Sequence, residues 1–183
     1  KFTAGALTAG SGVTDTTTAT AGTFDFTGVG ATADDWDTAA TPNANDYYQI
    51  TLQPLTGFNI VITSVSFVHD TDAATDLDFS VNWSKNAFSS SIQIMTGSST
   101  SAGGTASSST LNIAVGEGET LTLRIFGYDA DLAANIFDVS NIILSGDFVP
   151  VEVVSCAATG NSPGNLVLDD LDLSADGYGE DSD

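Results

Sequence analysis

Apolar and polar residues alternate along most of this chain, the mark of strands with one buried and one solvated face. In DYYQITLQPL, Tyr48, Ile50 and Leu52 face one way and Gln49, Thr51 and Gln53 the other. In LDFSVNWSK the apolar set is Leu77, Phe79, Val81 and Trp83, which places Trp83 in the core, while Asp78, Ser80, Asn82 and Ser84 point outward. In ETLTLRIFGYD the inward set is Leu121, Leu123 and Ile125. TFDFTGV, NIVITSVSFVHD, SSIQIMTG, STLNIAV and NIFDVSNIILSGDF read the same way, and the Gly, Asn, Asp and Ser clusters between runs read as turns. No stretch shows a helical period, and Thr, Ser and Gly are too abundant for long helices. The pattern predicts an all-β fold, an antiparallel two-sheet β-sandwich that is jelly-roll-like.

Composition divides the chain. Residues 1–22 are a Thr/Ala/Gly-rich N-terminal strand or arm, poor in core-building side chains; 23–148 form the β-sandwich domain; 149–183 are a C-terminal extension ending in an acidic loop. The polar stretch GSSTSAGGTASSS, residues 97–109, reads as a loop linking two strands across one end.

Charge removes whole classes of partner. The formal charge of −21 comes from 24 Asp and Glu against Lys1, Lys85 and Arg124, so a phosphate backbone is repelled and no basic stripe tracks one. Nucleic acid is excluded as a partner on this ground. No apolar run is long enough for a spanning helix, so no membrane insertion is expected. Cys156 stands alone, which rules out an intrachain disulfide and a thiolate metal cluster. If the protein is exported, the numbering from Lys1 starts after signal cleavage.

The acidic residues gather in places where cations bind. DLSADGYGEDSD puts Asp172, Ser174, Asp176, Glu180 and Asp183 at loop positions 1, 3, 5, 9 and 12, with Gly177 at the sharp turn and the Tyr178 carbonyl between them. A hard cation such as Ca2+ needs about six to eight oxygens, and one short loop spaced in this way supplies them. The spacing resembles EF-hand loops and the acidic repeats of thrombospondin type 3 and dockerin modules. It departs from them in Ser at the third position, Asp at the twelfth, and no helix-forming sequence before the loop. The alternative reading is a solvated acidic tail. Asp70, Asp72, Asp76 and Asp78 in HDTDAATDLD form a second cluster, either a further calcium site or a solvated turn. Asp34, Asp35 and Asp37, and likewise Asp129 and Asp131, read as solvent-facing, with a cation site as the alternative.

Two aromatics are candidate sugar-stacking residues: Trp36, set in the polar stretch ADDWD, and Tyr47, which alternates away from the core set. A glycan platform needs several such rings in one plane. GNSPG, residues 160–164, matches a nucleophile elbow by letter, but Pro163 follows the Ser, no helix is expected there, and His69 is the sole histidine. The chain reads as non-enzymatic.

The order of these blocks is similar to a β-sandwich module of secreted and cell-surface proteins of environmental bacteria. Asp46 to Tyr48, Pro54 to Gly57, Ser84 to Phe88, Arg124 to Tyr128 and Asp138 to Asn141 carry the resemblance, which spans roughly residues 1–148. Val149 to Ala158 are similar to the start of C-terminal regions of proteins exported by type IX secretion, although the usual continuation gives way to acidic sequence. The resemblance implies an extracellular or cell-surface location. Two functions are expected from it and from the acidic loops: a calcium-stabilised structural protein that self-associates as a homo-oligomer or polymer in a filament, sheath or matrix, or a carbohydrate-binding or adhesion module with a glycan partner. A third, weaker expectation is an accessory domain of a larger exported enzyme.

Overall fold

The computed structural model describes residues 1–15, 25–72, 76–132 and 135–151, with side chains described for all of these except 15 and 25–31. The described residues are all-β. Three short strands open the chain: β1 (Phe2–Ala4), β2 (Thr8–Ala9) and β3 (Thr14–Asp15). Eight longer ones follow: β4 (Asp25–Asp34), β5 (Tyr47–Pro54), β6 (Phe58–Thr71), β7 (Leu77–Ser84), β8 (Ile92–Ser99), β9 (Gly104–Val115), β10 (Leu121–Tyr128) and β11 (Phe137–Pro150). Every pairing is antiparallel.

Two sheets result. The front sheet has the order β1-β5-β10-β7-β8, with β2 also on β5, and the back sheet the order β3-β4-β11-β6-β9. From β4 to β7 each strand crosses to the opposite sheet, and β10 and β11 then insert between the earlier strands of the front and back sheets respectively. This interleaving is the jelly-roll arrangement expected from the strand pattern.

The described part of the N-terminal segment is paired within its own chain. Phe2 lies opposite Pro54 and Thr8 opposite Gln49 on the front sheet, after which Thr14 lies opposite Asp34 on the back sheet. Its few apolar side chains suffice because β5 and β4 supply the hydrogen-bonding edges, and Leu7 and Val13 reach the core.

The core fills the space between the sheets. Tyr48, Ile50 and Leu52 from β5, Leu77, Phe79 and Val81 from β7, and Leu121, Leu123 and Ile125 from β10 meet the inward residues of β6 and β11, including Ile60, Phe67, Phe137 and Ile142. Trp83 is half-buried and packs against this cluster from its rim.

Trp36 corrects the sequence expectation. Its exposure is 0%, and it makes edge-on contacts with Tyr48 and Phe137 at 5.2 and 5.4 Å between ring centres. Its indole N–H donates to the Ala33 carbonyl at 2.9 Å. The polar neighbours Asp34, Asp35 and Asp37 lie half-buried or exposed around a ring that turns inward, so Trp36 is a core residue and offers no face to a sugar.

Residues 97–109 are also not a loop. They contain the end of β8, a turn at 100–103 and the first half of β9, whose Ser and Thr side chains line an edge strand hydrogen-bonded to β6. A strand at the edge needs little apolar burial once its partner is in place.

Candidate functional site

The outward positions of β5, β10 and β7 make one continuous surface. Arg124 lies opposite Gln49 on one side and Asn82 on the other. Its Nε–H donates to Gln49 Oε1 at 2.8 Å, which fixes the guanidinium over the sheet. The Tyr47 ring lies with its centre 3.8 Å from the guanidinium carbon, and the Phe88 ring lies 4.1 Å from it. These are close cation–π contacts, of the kind that contribute about 0.5–2 kcal/mol each.

Phe126 forms the floor of this group. It points to the outer side of the front sheet yet is only 7% exposed, because Tyr47 and Phe88 flank it at 5.7 and 6.1 Å between ring centres. The rings are inclined to Phe126 by 66° and 63°. The surface is therefore a slot walled by two aromatics with a cation in it, and not the flat row of coplanar rings that a stacking platform requires.

Phe88 reaches the slot because of the turn after β7. Ala87 and Phe88 both have left-handed backbone, with φ of 55° and 62°. For a non-glycine residue this conformation costs on the order of 1 kcal/mol or more and persists where the surroundings enforce it. Ser84 enforces it: its buried hydroxyl oxygen accepts from the backbone N–H of Asn86 and of Phe88, both at 3.1 Å, and its O–H donates to Asn86 Oδ1 at 2.7 Å. Asn86 in turn accepts from the Ser90 N–H at 3.1 Å. Ser80 and Ser84 point to the outer side as their alternation requires, yet each is only 2% exposed, because the outer side is covered there.

Carboxylates are sparse on this surface. Among the outward positions of β5, β7 and β10, the one acidic residue is Asp78, opposite Tyr128 and four residues along the strand from the Arg124 row, about 13 Å away. Asp78 accepts a hydrogen bond from Ser98. The acidic side chains of the described residues lie instead in the end loops and on the back sheet.

The acidic residues flanking the β6–β7 turn are largely solvent-facing. Asp70, Asp72 and Asp76 are exposed and Asp78 half-buried. Asp72 accepts from the Ile136 N–H at 3.2 Å, and the Asp76 N–H donates to Asp131 at 3.1 Å. Among the described residues no three His, Cys, Asp or Glu side chains gather as a metal-holding group. Asp172, Ser174, Asp176, Tyr178, Glu180 and Asp183 lie outside the described residues.

Two carboxyls are perturbed away from the front face. Burial, together with the neighbouring Asp37, raises the pKa of Asp46, which is 3% exposed; the Asp37 N–H offsets this in part. Burial likewise raises that of Asp138 on β11, where the Thr32 hydroxyl lowers it and Asp70 and Asp72 raise it further. Burial lowers the pKa of His69, whose Nδ1 lies 2.9 Å from the Ser99 hydroxyl.

Sequence reasoning singled out Tyr47, which the structure places in the wall of the slot, half-buried. It gave Gln49, Arg124 and Phe88 no functional role. The available signal was parity: Arg124 alternates with Leu123 and Ile125, so one of the three cations of the chain had to project outward.

No family model matches the chain, and no curated protein matches it. Solved structures do. A CBM4 module is 12% identical, with a TM-score of 0.42, over 64% of this chain and 71% of that one. A family 29 carbohydrate-binding module is 11% identical, with a TM-score of 0.36, over 78% of this chain and 87% of that one. A CBM61 module in complex with β-1,4-galactotriose is 10% identical, with a TM-score of 0.32, over 64% of this chain and 71% of that one. With TM-scores below 0.5 these likenesses leave the strand order of the chain itself as the basis of its fold.

Proposed function

We propose that this chain is a non-catalytic, glycan-binding β-sandwich module of an extracellular protein, and that the sugar is held on the outer face of the front sheet. The observation that carries the reading is the slot around Arg124. Aromatic walls, amide side chains and a fixed cation converge there, and among the described outward positions of β5, β7 and β10 the one acidic residue, Asp78, is about 13 Å away. Sugars present apolar C–H faces beside hydroxyls that both donate and accept. Tyr47 and Phe88 match the first, and Gln49, Asn82 and Arg124 match the second. Building on rigid strands with a strained, Ser84-anchored turn preorganises the slot, which limits the ordering cost of binding.

Self-association is the competing reading from the sequence. The described strands of the N-terminal segment, β1 to β3, pair with β5 and β4 of their own chain, which lends strand exchange no support.

The test is affinity electrophoresis of the protein through gels containing a panel of neutral and acidic polysaccharides, with the Tyr47→Ala and Phe88→Ala variants alongside. Retardation by at least one polymer, reduced in both variants, is the expected result. Mobility unchanged across the panel overturns the proposal.

A further inference from the structure

The three cations of this chain have different surroundings. Lys85 is ion-paired with Glu119 at 2.8 Å and also donates to the Ala114 carbonyl. Lys1 lies over the rings of Phe58 and Phe148 at 5.2 and 5.5 Å. Arg124 has no carboxylate partner among the described residues, although the chain contains 24 acidic side chains.

Its geometry leaves one approach open. Tyr47 and Phe88 contact the guanidinium carbon at 3.8 and 4.1 Å. Gln49 takes the Nε–H. What remains for a ligand is the edge bearing the two terminal nitrogens, whose N–H groups form a planar fork. A planar fork between two rings matches a planar acceptor that enters in the same plane, and a carboxylate satisfies both prongs.

We infer that the ligand of this slot is an acidic polysaccharide, and that Arg124 binds the carboxylate of a uronic-acid residue through both terminal nitrogens. The inference rests on the glycan reading above and names the class of sugar. A tetrahedral sulfate would put oxygens out of the guanidinium plane towards the rings, which favours the carboxylate. The net negative charge of the protein does not forbid an anionic polymer, because repulsion is screened beyond about 8 Å at physiological ionic strength and Asp78, the one acidic residue among the described outward positions of β5, β7 and β10, is about 13 Å away.

The decisive comparison varies the ligand on the unaltered protein, so misfolding of a variant cannot imitate the result. Polygalacturonate and alginate are each titrated by calorimetry beside the same polymer after reduction of its carboxylates to primary alcohols. A charge-assisted bidentate contact predicts that at least one uronate polymer binds roughly ten- to a hundredfold more tightly than its reduced form. Arg124→Lys, its fold checked by thermal melting, loses most of that preference, because an ammonium keeps the charge but lacks the fork. Equal binding of each polymer and its reduced form overturns the inference and leaves the glycan reading standing. Binding to neither member of either pair overturns the inference, and a silent neutral panel then removes the glycan reading as well. Tighter binding of a sulfated galactan, or equal binding of poly-glutamate, overturns the assignment to a uronate.

Discussion

Arg124 on β10 donates through Nε to Oε1 of Gln49, 2.8 Å away on β5. This cross-strand bond sets the rotation of the guanidinium about its own stem. A flexible side chain with several rotatable bonds is thereby held in one pose before any ligand arrives. Gln49→Ala removes the restraint without touching the core. Glycan affinity is expected to fall about three- to tenfold, and stability by about 1 kcal/mol or less. Calorimetric titration alongside urea unfolding checks both; an unchanged affinity would show that the bond does not preorganise the site.

Ser84 positions the slot from below. Its hydroxyl satisfies the N–H groups of Asn86 and Phe88 in a turn with two left-handed non-glycine residues. Ser84→Ala leaves both without that acceptor, for an expected loss of about 1–3 kcal/mol. It also weakens glycan binding by releasing Phe88. Ser84→Thr, if it folds, restores part of both. A variant that loses stability yet binds as tightly as the parent would contradict this role for the turn.

Gly127 on β10 lies against Trp36. A Cβ there would sit 2.5 Å from Trp36 Cε3 and 2.9 Å from Leu77 Cδ1. Both neighbours are buried in a packed core and have little room to yield. Gly127→Ala is expected to destabilise the fold by about 1–3 kcal/mol, read as a lower urea midpoint with an unchanged slope. A neutral result would mean that Trp36 is less tightly packed than its contacts indicate.

The raised pKa of Asp138 has a signed consequence. Between the ordinary carboxylate pKa of 3.8 and its raised value, the folded state binds the proton more tightly than the unfolded state does. Stability from this group therefore falls as pH rises through that window, and the cost is fully present above it. Asp138→Asn is expected to raise the melting temperature at pH 7, and the gain should vanish below pH ~3.8. A gain of equal size at both pH values would point to packing and not to charge.

Much of the sandwich was legible in the chain because burial and alternation share one period. Leu121, Leu123 and Ile125 point inward as their spacing requires, and so do Tyr48, Ile50 and Leu52. The acidic neighbours of Trp36 suggest exposure; what decides its burial is the distant pair Tyr48 and Phe137, invisible to a local window. The composition of residues 97–109 suggests a loop, but a Ser/Thr edge strand draws its order from β6, its pairing partner. The slot was half legible. Parity puts Tyr47, Gln49 and Arg124 on the outer side of their strands, but only the register of β5 against β10 brings them together, and only the left-handed turn brings Phe88 across.

The most direct test of the central claim is to map binding on the protein itself. Backbone amide resonances are followed while an oligosaccharide from a retarding polymer of the panel is added. The account predicts that the perturbed amides cluster at Tyr47, Gln49, Asn82, Phe88 and Arg124 on the front sheet. Perturbations confined to the end loops or the back sheet, or no perturbation at saturating sugar, would contradict it.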